Sequence, residues 1–326
     1  MSKNFSAALL LIAAVVTLAI AQQPQSEQNQ NLDNVQLHTL HVHKNVYMLV
    51  GAGGNITAQV GPEGVLLVDT QFDPLAGKIM AEVRKLSPLP VRFIVNTSAD
   101  ADHVGGNEVL AVSGARSANQ RVIGAAGVAT IIAHEKVLLR MVNPLPGEPA
   151  VHGDAWPSAA YYEDSKDLYF NEEPVQIFYQ RAAHTDGDSI VHFRYSDVIS
   201  AGDVFSTLTF PVINLQKGGS VQGILDALNH IIDIAVPEDK EEGGTMIVPG
   251  HGRLCDEADV VDYRNMVTIV RDRVQDLIQK GKTLEQVKSA RPTRDYDRRW
   301  GTSPSWTPDM FVEAVYRTLP AKAVKP

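Results

Sequence analysis

The chain has 326 residues, 44% of them apolar, which suffices for a sizeable core in one large α/β domain or two smaller ones. Its 38 Asp and Glu against 29 Lys and Arg leave a formal charge of −9, which argues against nucleic acid or an anionic membrane as the main partner. A single cysteine, Cys255, excludes an internal disulfide and any cysteine-rich zinc structure.

Taken in chain order, Lys3 precedes an apolar run from Ala7 to Ala21 that ends in Ala19-Ile20-Ala21, and a Gln-rich stretch follows from Gln22. A basic start, a short apolar core and an Ala-x-Ala end predict a secretory signal peptide over 1–21, hence an exported protein, periplasmic or secreted. An uncleaved anchor is the competing reading, for which the run is a little short. No later apolar stretch is long enough to cross a bilayer, so no membrane span is expected after cleavage. A disordered leader is expected over 22–34 and a single domain over 35–326, with a C-terminal helical extension from about 256.

His41 and His43 share one face of a strand within 35–43 and read as surface histidines. The glycines of Gly51-Ala52-Gly53-Gly54-Asn55 lie between two strands, and Ile56 stands where a dinucleotide fingerprint needs its last glycine, so no Rossmann unit is predicted. Strand Val65 to Asp69, a helix from about Pro74 to Leu86 and strand Val91 to Val95 form a βαβ-like unit. Its last strand runs into Ser98-Ala99-Asp100-Ala101-Asp102-His103, then Gly105-Gly106 and a helix from Asn107. Short acidic and imidazole side chains on a strand-to-helix loop can converge on a metal, because the scaffold fixes their backbone. The bland alternative is a polar turn with Asp at a helix N-terminus.

Ala129 to His134 reads as a buried strand, with His134 in a structural or supporting role. The segment 144–165 is a long irregular loop of the kind that covers a site, whose Trp156, Tyr161 and Tyr162 either touch substrate or pack in the core. His184 follows the strand Val175 to Tyr179, Asp203 follows Asp197 to Ile199, and His251 follows Met246-Ile247. Each stands just past a short strand near a glycine that clears space for a ligand. Asp186 and Asp188 either orient the His184 imidazole or cap a helix. Ser220 is expected as a helix N-cap, because Gln222 breaks a serine nucleophile elbow. Cys255 reads as a small buried residue near a helix start or a thiol close to metal. Apolar residues at three and four spacings from Asp256 to Lys280 predict a long amphipathic helix, followed by helices at Thr283 to Ala290 and Thr307 to Leu319.

From about Val46 to about Gly252 these stretches resemble the metallo-β-lactamase superfamily, whose hydrolases carry His-x-His-x-Asp-His and Gly-Gly-Asn, then a His, a bridging Asp and a final His. The resemblance implies an α/β fold, a four-layer αβ/βα sandwich of two mixed sheets flanked by helices, with a metal cleft along one edge. This sequence departs from the pattern at Ser98 and Asp100, where the family has histidines. By position, the first family site keeps His184 and the shared Asp203, with Asp100 in place of an imidazole. The second keeps Asp102, His103 and His251, with Asp203 able to join. Zinc is the expected ion, one per chain, and an oxygen-rich first site would suit a second, weaker ion such as manganese or iron.

The function implied is an exported hydrolase that attacks an ester, thioester, lactone or amide carbonyl of a small-molecule substrate with a metal-bound hydroxide. Asp102 or Asp203 would hold the water or take its proton. The alternative is an exported binding protein that kept the cleft and lost the chemistry, since one site lacks two imidazoles. An iron-dependent oxygenase or a β-lactamase ranks below both, because those activities rely on the altered first site.

Overall fold

A computed structural model describes residues 32–113, 127–240 and 243–320. The predicted signal peptide and most of the leader lie outside these residues. Strands β1 (His38–His43), β2 (Val46–Val50), β3 (Ile56–Gly61) and β4 (Gly64–Val68) run as an antiparallel meander. Helix α1 (Ala76–Leu86) then crosses over so that β5 (Val91–Val95) lies parallel to β4. After α2 (Ala101–Val104) and α3 (Asn107–Ser113), strand β6 (Thr130–His134) joins parallel to β5. Helix α4 (Glu135–Val142) and strand β7 (Ala159–Tyr161) complete a seven-stranded mixed sheet in the order β1 to β7. The second sheet has five strands. It contains β8 (Ser165–Phe170), β9 (Glu173–Gln180), β10 (Asp188–Phe193), β11 (Val198–Ser206), and, after α5 (Val221–Ile234), β12 (Met246–His251) parallel to β11. Helices α6 (Glu257–Gln279), α7 (Leu284–Ser289), α8 (Asp297–Trp300) and α9 (Pro308–Thr318) end the chain.

The layering follows from side-chain alternation. Every residue of β4 is buried, because Val65 and Leu67 meet α1 while Leu66 and Val68 face the other sheet. The second sheet repeats this, with Val191, Phe193 and Val198 turned toward the first sheet and Ile190 and Ile199 packed under α5 and α6. The result is the expected four-layer sandwich of helix, sheet, sheet and helix. The helices after 256 share one apolar cluster with α5 and the second sheet, so the extension read from the sequence is the outer helical layer on that side. Among the described residues no helix is long and apolar enough to cross a membrane.

Three expectations need correction. The leader is ordered from Leu32, whose 3-10 turn (Leu32–Asn34) is held to α1 by the Lys78 ammonium donating to three backbone carbonyls. Asp203 lies inside β11 rather than after a short strand. The strand continues through an irregular register at Gly202, whose φ of 55° falls in the left-handed region and whose missing Cβ leaves room for the Thr97 side chain. His251 likewise closes the six-residue strand β12 instead of standing on a loop beyond Met246-Ile247. The histidines read as surface strand residues bind backbone, His41 to the Lys44 carbonyl and His43 to that of Ser196.

Candidate metal centre

The loop after β5 is fixed before it carries any ligand. Asn96 and Asn107 exchange side-chain amide hydrogen bonds of 3.0 and 2.8 Å, which closes the loop around the one-turn helix α2. The Thr70 N–H and hydroxyl both reach the His103 carbonyl, at 2.9 and 3.0 Å. Asp102 and His103 are therefore presented from a backbone with little freedom. The His103 ring is oriented by Asp69, whose Oδ2 lies 2.8 Å from Nδ1. A carboxylate accepts, so Nδ1 donates to Asp69 and Nε2 is the nitrogen that faces the cleft. Asp69 is itself held by the Thr97 N–H at 2.8 Å and the Thr97 hydroxyl at 2.6 Å.

The other two groups come from the second sheet. Asn55 binds the strand end that carries His251, with its side-chain amide 2.9 Å from the Pro249 carbonyl and 3.1 Å from that of Gly252. Gly250 is required by close approach, since a Cβ there would run into Asp203 Oδ1. His103 Nε2 lies 3.2 Å from Asp203 Oδ1, and His251 Nε2 lies 3.3 Å from both Asp203 Oδ1 and Asp102 Oδ2. His103 Nε2 is 3.8 Å from Asp102 Oδ2. A tetrahedral ion with N and O ligands at about 2.0–2.1 Å has edges of about 3.3 Å, which three of these four separations match and the fourth exceeds by about 0.5 Å. His103 Nε2 and Asp203 Oδ1 are also buried without a hydrogen-bond partner, which is costly unless something else satisfies them. A divalent cation fits this position in charge, donor type and spacing.

The electrostatics agree. Burial alone would push the His103 and His251 imidazoles down, but Asp203, with Asp102 and, for His103, Asp69, raises both well above the ordinary value. Burial raises the Asp203 carboxyl, and the two imidazoles more than reverse this, holding it well below the carboxylate range.

Asp100 and His184 are brought together with Asp203, with one ligand atom from each lying within 4.8 Å of the others. Ser98 is buried, and its hydroxyl accepts the Asp100 N–H at 3.2 Å. His184 Nδ1 donates to the Val212 carbonyl at 2.7 Å, and Nε2 lies 2.7 Å from Asp100 Oδ2. Neither Asp186 nor Asp188 orients that ring. Asp186 pairs with Arg140, and Asp188 accepts from the backbone and hydroxyl of Thr185. Burial would lower the His184 imidazole, yet the hydrogen bond and charge of Asp100 carry it up to about 10. The sequence reading missed Lys217, whose ammonium sits 2.7 Å from Asp100 Oδ1 and 2.7 Å from Glu148 Oε1. It assigned no role to Asp69, whose place at the end of β4 was the only available signal.

Around the cleft, His134 caps α4 and stacks on Tyr179, with ring centroids 3.7 Å apart. Trp156 packs beside Val104 and Met141 and donates to the Val151 carbonyl, Tyr161 is buried against Ser189, and Tyr162 is exposed. Ser220 caps α5 as expected, and Cys255 is buried, with burial pushing its thiol up to about 12. A third acidic grouping, Glu108, His152 and Asp154, lies exposed on the surface.

The chain covers 86% of its own length and 50% of that of a sec-alkylsulfatase, Pisa1 from Pseudomonas sp., at 13% identity and a TM-score of 0.63. A double mutant of the PisA1 sec-alkyl sulfatase matches over the same shares at 14% identity and a TM-score of 0.64. This chain thus spans half the length of those enzymes. A metallo-β-lactamase from Pontibacter korlensis matches at 13% identity and a TM-score of 0.54, over 72% of this chain and 99% of that one. These likenesses establish the fold. No curated protein sequence matches the chain. The family model of the metallo-beta-lactamase superfamily matches residues 49–251, from β2 to the last ligand of the cleft. With strand order, cleft position and ligand sequence in agreement over that span, the chain belongs to the metallo-β-lactamase superfamily.

Proposed function

We propose that this chain is an exported hydrolase that holds one divalent ion, zinc by its donor set, between Asp102, His103, His251 and Asp203. Its substrate is a small molecule with an ester, thioester, lactone or amide bond. The observation that carries the reading is the spacing of the four ligand atoms, with two of them buried and otherwise unsatisfied. An ion there supplies Lewis-acid chemistry, acidifying water and polarising a carbonyl oxygen. The protein's own groups do the rest. Asp69 keeps the hydrogen on His103 Nδ1, so that Nε2 stays available. Asp102 and Asp203 each have a second carboxylate oxygen, which can orient water and accept its proton. The binding-protein reading loses ground because the departures from the family pattern fall on Ser98 and Asp100, outside these four ligands. Export rests on the residue pattern of 1–21.

Metal analysis tests the proposal directly. The purified chain is expected to carry one ion, and His251→Ala is expected to lose it together with at least 100-fold of the activity on a panel of carboxylic esters, thioesters, lactones and a sec-alkyl sulfate. A native chain without an ion, or a stripped chain with undiminished activity, would refute the metallohydrolase. N-terminal sequencing of the exported form, expected to begin at Gln22, tests the leader.

A further inference from the structure

Lys217 is a buried lysine with 5% of its side chain exposed, a rare state for an ammonium unless it is paired. It sits in the turn before α5 and is held from both sides, since its N–H bonds Asn214 and its carbonyl accepts from the Asp186 N–H at 2.7 Å. Its ammonium spans 2.7 Å contacts to Asp100 Oδ1 and Glu148 Oε1, and Asp100 Oδ2 is 2.7 Å from His184 Nε2. The His184 ring gives its other nitrogen to the Val212 carbonyl. Both His184 ring nitrogens are thus engaged by oxygens of the protein, at 2.7 Å each. Both Asp100 oxygens are likewise engaged. Glu148, Lys217, Asp100 and His184 thus form a continuous row of 2.7 Å contacts through the position where the family pattern puts its first ion.

We propose that the Lys217 ammonium stands in for that ion: Asp100 adds a negative charge where the family has a neutral imidazole, and Lys217 supplies the matching positive charge from the chain itself. The cleft therefore takes a single metal ion, at Asp102, His103, His251 and Asp203. The fixed positive charge beside it comes from the Lys217 ammonium. This rests on the metallohydrolase reading and narrows it.

Ion counting after equilibration with Zn²⁺ or Mn²⁺ and desalting, supported by calorimetric titration, tests the proposal without reference to activity. The native chain and Lys217→Arg are expected to hold one ion, and Lys217→Met, checked for folding by circular dichroism, to hold two. Asp100→His alone, which restores an imidazole but keeps the ammonium, is expected to stay at one ion, so the proposal remains testable if Lys217→Met does not fold. Two ions in the native chain or in Asp100→His, or one in folded Lys217→Met, would overturn the inference and leave the metallohydrolase standing. No ion in the native chain would overturn both.

Discussion

Asp69 lies outside the ligand set, yet it decides what His103 offers to an ion. Its carboxylate accepts from His103 Nδ1 and from both the N–H and the hydroxyl of Thr97, and its own backbone sits at a φ of 66°. Replacing Asp69 with Asn keeps the shape but lets an amide N–H face Nδ1. The ring can then place its hydrogen on Nε2, pointing at the ion position. Second partners of this kind are worth about 10–100-fold in metal affinity, and Asp69→Asn is expected to weaken ion binding by that factor with the fold retained. Competition against a chromophoric chelator measures it, and an unchanged affinity would deny Asp69 the role. The four residues of the proposed ion site stand out in the sequence because each is a His or Asp that follows an apolar run with a glycine nearby. Lys217 does not, because it meets Asp100 across 117 residues of chain and no spacing rule connects a lysine in a turn to a carboxylate on another sheet.

At the scale of elements, legibility followed the strength of the pattern. Helix α6 runs from Glu257 to Gln279, within a residue of the predicted ends at each side, because its apolar stripe is unbroken and Asp256 caps it. Helix α4 went unseen because it begins directly after β6, with His134 serving as both strand end and cap, so no break marks the change. Strand β8 is an edge strand whose residues are mostly exposed or half-buried, which leaves little apolar alternation to read. β11 looked short because Gly202 reads as a stop, whereas in the sheet it is the irregularity that turns Asp203 into the cleft.

The same sheet carries a titrating group with a measurable consequence. His192 shares the face of β10 that bears Ile190 under α5, and its Nε2 is buried with no partner. Burial pushes its imidazole down to about 4. The fold holds the neutral ring, while the unfolded chain protonates near the ordinary value, so this contribution is complete above about pH 6.5 and is lost as pH falls toward about 4. At pH 4.5 the loss is about 2.5 kcal/mol. His192→Leu lacks the proton site, so denaturant midpoints for native and variant are expected to diverge in the variant's favour between pH 7 and 4.5. Parallel pH profiles would show that His192 is protonated inside the fold.

In the whole molecule, the proposed ion joins two sheets that otherwise meet, among the described residues, through packing, hydrogen bonds and the contacts of Asp100 with Lys217 and His184. Asp102 and His103 follow β5 of the seven-stranded sheet, while Asp203 and His251 belong to β11 and β12 of the five-stranded one. The apolar layer between them, including Leu66, Val95, Phe193 and Val248, holds the sheets face to face, and the ligands close one edge of that layer. An ion bound by all four residues therefore binds the folded arrangement and not the unfolded chain, in which the ligands are separated by up to 149 residues. Free ion at 1,000 times its dissociation constant adds about 4 kcal/mol, which for a chain of this size is a rise in melting temperature on the order of 10 °C. Scanning calorimetry of the native chain is expected to show that rise with Zn²⁺ and its reversal by a chelator. His251→Ala, which removes a ligand of the second sheet, and Asp102→Asn, which alters one of the first, are each expected to abolish most of it. A melting temperature indifferent to zinc in the native chain, or a rise that survives the loss of either sheet's ligand, would show that no ion ties the two sheets together.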